Sequence, residues 1–171
     1  MSNVNLNRRD DDSATGPIRL PRENYKLRII EEPVYKLSKQ KPGKPQYPML
    51  VFKMEVVEPQ SGIVDGKEVT FAGVELTSWA VIFQNDDGTE NSPTLASIHR
   101  QGNLPMEFTR DENSGLPVDD NGVPISYAGI VLDAKCSSEE YTETNEEGVP
   151  LKNPITGEVL KGFNYRVNRI Y

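Results

Sequence analysis

The chain has 171 residues, 36% hydrophobic and 26% charged, with a net charge of −7 and one cysteine. That length suits one compact domain with a real core, and no run approaches the ~20 apolar residues that span a bilayer. Cys136 stands alone, which excludes an internal disulfide and a multi-cysteine zinc site and leaves it as a small, partly buried strand residue.

The acidic total hides an asymmetry. Residues 18–57 carry nine basic and four acidic groups, residues 58–160 five basic against nineteen acidic, and residues 161–171 three basic and none acidic. A local basic surface governs encounter more than the total does, so a nucleic-acid partner stays open.

In chain order, residues 1–17 are polar and charged, and read as a disordered arm ahead of a single domain over 18–171. The arm lacks the apolar segment of a signal peptide, so a cytoplasmic protein is expected. "NYKLRIIEEPVYKLSK" predicts a first strand, with Tyr25, Leu27 and Ile29 on one face, Lys26 and Arg28 on the other, and a bulge or edge at Pro33. "KPGKPQYP" is a turn by chemistry. "MLVFKMEVVE" follows as a second strand with Leu50, Phe52, Met54 and Val56 inward. "SGIVDGKE" reads as a turn, and residues 69–84 as a long third strand bent at Gly73.

Ser92, Pro93 and Gly102 mark the N-cap, first position and stop of one short helix with Leu95 and Ile98 on its inner face. Residues 103–124 read as loop, residues 125–143 as a fourth strand and 162–171 as a fifth. The polar connection between those two strands suits a small hairpin of its own. Three strands, a helix and two closing strands is the order of an OB-fold, a five-stranded Greek-key barrel. A flat α+β sandwich could give the same order. The expected class is all-β with one short helix.

No enzyme is expected. His99 is the one histidine, and it is read as a surface helix residue, so no Ser–His–Asp or Cys–His constellation can be assembled around it. "GIVDGKE" lacks the spacing of a phosphate loop, with Glu68 where magnesium would need Ser or Thr. Asp86–Asp87 and Asp119–Asp120 lack the alternating spacing that wraps a cation and read as solvated turns, as do the acids at 139–147. Neither a cofactor nor a metal is expected.

Lys36, Lys39, Lys41 and Lys44 place four cations in nine positions, on the loop between strands one and two. OB-folds grip oligonucleotides with that loop and with the face of strands two and three. Arg28 and Lys53 would continue the basic surface. Arg166 and Arg169 fall on opposite parities of the last strand, so only one of them, Arg166, is assigned to it. The alternative is a solvated lysine loop that guards the sheet against edge pairing. Tyr35 and Tyr47 flank the loop as stacking candidates. Trp79 shares the polar parity of Thr77, although a core position would suit so large a ring equally well. Tyr165 follows the parity of Phe163 and Val167, towards the core.

"NYKLRIIEEPVYKLSKQKPGKPQYPMLVFKMEVVEP", with "YAGIVLDAKCSSEEY" and "FNYRVNRIY", resembles phage-encoded single-stranded-DNA-binding proteins over residues 24–60 and 125–171. The resemblance implies an OB-fold, cooperative coating of exposed strands and replication or recombination proteins as partners. The expected function is non-specific single-stranded-DNA binding in the host cytoplasm, with a homo-oligomer left open. Many single-strand binders end in an acidic tail, whereas this chain ends in a basic, apolar strand. The rival expectation is a phage structural or assembly protein that binds no nucleic acid.

Overall fold

Alternation at period two becomes burial along the first strand. In the computed structural model, which describes residues 18–171, β1 (Glu23–Ile29) buries Tyr25, Leu27 and Ile29 and turns Lys26 and Arg28 to solvent. The expected arm over 1–17 lies outside the described residues. The first strand is not continuous: Glu31, Glu32 and Pro33 interrupt it, and it resumes as β2 (Val34–Leu37). Proline has no N–H for the ladder, and here it sits in the break and leads into β2, an edge strand that among the described residues pairs only with β3. β3 (Pro48–Glu58) buries Leu50, Phe52, Met54 and Val56 as expected.

The stretch read as a turn is a hairpin, β4 (Ser61–Val64) and β5 (Lys67–Thr70). Asp65 and Gly66 both have positive φ at its tip, the backbone a two-residue hairpin turn of matching twist needs. The long third strand expected over 69–84 is therefore shorter. After a break at 71–74, β6 (Glu75–Val81) pairs with β3, and β7 (Phe83–Gln84) pairs with β8 (Glu90–Asn91).

The helix α1 (Pro93–Gln101) starts where its caps predict, with the Leu95 N–H donating to Ser92 Oγ at 3.3 Å. Gly102 ends it without a left-handed backbone. A Cβ there would meet Ile130 Cδ1 at 2.9 Å and the Ile98 carbonyl oxygen at 3.1 Å, so the glycine sits in close packing. The expected loop holds a two-rung hairpin of β9 (Thr109–Arg110) and β10 (Pro117–Val118). Asp119 is a turn cap as read, its Oδ1 accepting from the N–H of Asn121 and of Val123. Asp87 likewise accepts from the Thr89 N–H. β11 (Val131–Thr142) starts later than the expected fourth strand, and β12 (Lys161–Ile170) closes the chain. The connection between them is folded back by bridges Thr144–Pro150 and Lys152–Val159.

Every ladder in the main sheet is antiparallel, and its path runs β12, β11, β1, β3. One edge of β3 takes β1 on Met54–Glu58 and β2 on Pro48–Val51, while the other edge takes β6. The curled sheet brings its outer strands β6 and β12 alongside each other, but no ladder joins them, so the described residues form no closed barrel. α1 rests on β6, β11 and β12 and seals one end with Leu95 and Ile98. The fold is all-β with one short helix. Among the described residues no helix is long and apolar enough to cross a membrane.

Two single residues depart from expectation. Cys136 is completely buried, and burial pushes its thiol up to about 12. His99 is also completely buried, not at the helix surface. Its Nδ1 lies 2.6 Å from the Pro105 carbonyl, its Nε2 lies 2.7 Å from the Tyr127 hydroxyl, and its ring stacks on Phe108 at 4.6 Å. A carbonyl only accepts, so Nδ1 carries the proton and the Tyr127 hydroxyl donates to Nε2. Two fixed partners replace the water that a surface position would have supplied. Burial holds the ring below its ordinary pKa.

Candidate nucleic-acid interface

The outward face of β2, β3 and β6 is built in rows set by register. One row is Val34, Val51 and Trp79; the next is Lys36, Met49 and Val81; on the other side Lys53 faces Thr77. Past the second row the rings of Tyr47 and Phe83 meet at 5.8 Å, and both are exposed. Trp79 is 53% exposed, so its parity on β6 decides its environment: it lies on the solvent face and not in the core. A solvent-facing strand surface that offers a tryptophan, a tyrosine, a phenylalanine and three valines is the kind of patch that marks an interaction site.

The lysine loop adjoins this patch. Lys44 N–H donates to the Lys41 carbonyl at 3.1 Å across a turn in which Gly43 has φ 73°, a conformation that only glycine enters cheaply. Ser38 clasps the base of the loop. Its N–H donates to the Tyr47 carbonyl and its hydroxyl accepts the Tyr47 N–H, each at 2.8 Å. Lys36, Lys39, Lys41 and Lys44 are all exposed, and none of the four has an ion-pair partner among the described residues.

The other expected cations are placed differently. Arg28 reaches Glu55 at 3.0 Å and Lys53 reaches Glu31 at 3.3 Å. Such exposed pairs are worth at most ~1 kcal/mol, but each carboxylate cancels the charge its partner would bring to the face. The basic character of this surface therefore resides in Lys36 and the loop. Tyr35 is half-buried, on the opposite parity from Val34 and Lys36. The Arg110 guanidinium lies 5.7 Å above its ring, and Gly115 packs so closely that a Cβ there would lie 2.5 Å from the ring. Arg110 is anchored in turn by a two-pronged bond to Glu90. Tyr35 is clasped, not presented.

Arg166 pairs with Glu139 across the β11–β12 ladder. The parity argument that separated it from Arg169 fails, because the register shifts between Lys135 and Cys136, placing Lys135 opposite Arg169 and Cys136 opposite Val167. The extra residue on β12 resets the alternation, and both arginines line one groove between β6 and β12. Trp79 lines the same groove from the other side, with Thr77, Thr94, Asn164 and Asn168. Phe83, Val34, Asn164 and Asn168 were not singled out from the sequence. For Phe83 a signal existed, since it shares the odd-numbered parity of Trp79 and Val81.

No protein-family model matches the chain, and no curated protein or solved structure matches it.

Proposed function

We propose that the chain binds single-stranded DNA without reading its sequence and protects exposed strands during phage replication or recombination in the host cytoplasm. One observation carries this reading: the outward Val51–Trp79 row and the Tyr47–Phe83 pair adjoin four lysines with no carboxylate partner among the described residues. Rings give ~1–3 kcal/mol per stacked base regardless of its identity, and lysines neutralise phosphates, which together is what non-specific single-strand binding needs. Tyr47, Trp79, Lys36, Lys39, Lys41 and Lys44 form the contact surface in this reading, Arg28 and Lys53 are secondary, and Tyr35 supports the scaffold. The role is binding, with no chemical step.

An OB-type scaffold is the finer reading of the fold. The order β6, β3, β1, β11, β12, with β2 continuing β1 past Pro33 and α1 between β6 and β11 in sequence, supports it. The closing neighbours β6 and β12 come together without a ladder.

A phage structural or assembly role is the second reading. It is favoured by the connection beyond β11, where Ile155 is 90% exposed and Val149 and Leu151 project among glutamates, a surface suited to a protein neighbour. Titrating a fluorescent oligo-dT at two salt concentrations separates the two. Saturable binding that weakens with salt is the expected result; no binding at low salt leaves the assembly role.

A further inference from the structure

The groove between β6 and β12 encloses about 640 Å³, inside the range of ~300–1,000 Å³ that small organic ligands occupy. Trp79 and Thr77 line it from β6, Thr94 from α1, and Asn164, Arg166 and Asn168 from β12. Trp79 also ends the exposed row of β2, β3 and β6, so a strand lying along that row reaches the mouth of the groove.

The chemistry of the lining differs from that of the lysine loop. A lysine only donates and grips any phosphate alike, whereas an asparagine amide both donates and accepts, as does a threonine hydroxyl. Among the described residues, the side chains of Thr77, Thr94, Asn164 and Asn168 make no hydrogen bond to the protein, while neighbouring Tyr165 and Arg166 are both engaged. Base edges carry fixed patterns of donors and acceptors, and amides are suited to read them in single strands whose bases are splayed out.

We propose that this groove is a nucleobase subsite, in which one base of a bound strand stacks on Trp79 and turns its hydrogen-bonding edge to Asn164 and Asn168. The proposal rests on the single-strand-binding reading and deepens it. Stacking tolerates every base, but a base whose edge mismatches the amides covers donors or acceptors and leaves them unpaired. Binding that is sequence-tolerant along the lysine loop and the Trp79 row thus acquires a bias in base composition at one position.

The test compares wild type with an Asn164→Ala/Asn168→Ala variant on oligo-dT, oligo-dC and oligo-dA at one salt concentration, using strands of about 16 nucleotides, the upper site size of one OB-type domain. Both asparagines are exposed, so the variant keeps its fold, which thermal melting confirms. Wild type is expected to favour one oligonucleotide over the weakest by about tenfold, equivalent to ~1.4 kcal/mol. The variant is expected to bind all three within about twofold of one another, near the weakest wild-type affinity, as sequence-tolerant stacking and phosphate contacts alone would. Stiffness of stacked oligo-dA acts on both proteins equally and cancels in the comparison. Equal wild-type binding of all three overturns the subsite and leaves general DNA binding standing. A preference that survives undiminished in the variant also overturns it. Failure to bind any oligonucleotide at low salt removes both readings.

Discussion

The hydroxyl of Tyr127 donates to Nε2 of His99 at 2.7 Å, and both side chains are completely buried. The bond ties the segment entering β11 to helix α1, and the Pro105 carbonyl accepts a hydrogen bond from the Nδ1–H. Replacing Tyr127 with Phe keeps the ring's packing against Phe52, at 5.2 Å, but leaves a buried imidazole acceptor without a donor. That change is expected to cost ~1–3 kcal/mol in urea unfolding.

The same pair sets a pH dependence. Burial depresses His99 in the folded state, while the unfolded chain takes up its proton near the ordinary value of ~6.5. Above that value neither state is protonated and the stability is fully present. As pH falls below it, the unfolded chain gains the proton first and stability declines, levelling once pH passes the depressed folded value. The slope is at most ~1.4 kcal/mol per pH unit for one group. Unfolding free energies measured between about pH 7.5 and 5.5 should show this decline in wild type and lose it in His99→Gln.

Trp79 is the single tryptophan, so its emission reports from the unmodified protein. Oligonucleotide is expected to quench it. Trp79→Ala should lower binding by ~1–3 kcal/mol and barely move the melting temperature, because the ring is more exposed than buried. Emission that ignores added DNA would place the contact surface elsewhere.

Exchanging Lys36, Lys39, Lys41 and Lys44 together for Gln removes the unpaired cations of the loop. Affinity at low salt should fall, and the slope of log affinity against log salt should flatten by up to ~0.7 for each phosphate that the loop no longer neutralises. Stability should stay within ~0.5 kcal/mol, since all four are surface positions. An unchanged slope would reduce the loop to a solubilising role.

Gly115 has φ 74° and touches the ring of Tyr35. Alanine there meets both a left-handed backbone and a 2.5 Å contact, and should cost ~1–3 kcal/mol of stability. If Tyr35 is scaffold, that variant retains oligonucleotide affinity at temperatures where it stays folded. A selective loss of binding would return Tyr35 to the contact surface.

Local alternation was readable wherever one face of a strand meets the core. Tyr25, Leu27 and Ile29, the inward set of β3, and the outward Trp79 all follow from period two. The helix was readable from Ser92 and Pro93 because capping is local chemistry. What failed depends on partners distant in sequence. His99 is satisfied by a tyrosine 28 residues away, and no helix pattern reveals that. The register shift opposite Lys135 is a property of two strands together, so parity along β12 alone misassigned Arg169. The carboxylates that neutralise Arg28 and Lys53 also come from elsewhere in the chain, Glu55 on β3 and Glu31 in the break between β1 and β2. Whether β6 and β12 close a barrel lies still further from any single segment.

β11 outruns its support. β1 pairs with it only as far as Cys136, whereas the ladder with β12 continues to Thr142 and Lys161. Ser138 is the last anchor, its hydroxyl accepting the Leu20 N–H and donating to the Leu20 carbonyl. From Glu139 onward two strands hold only each other, and an isolated two-stranded ribbon is marginal in water. The amide protons of this overhang will therefore trade with deuterium well ahead of those beside Leu132, and among the described residues a limiting protease will cut first in the connection beyond it. The molecule thus opens from its acidic end, while the β3 face stays folded until the whole domain unfolds.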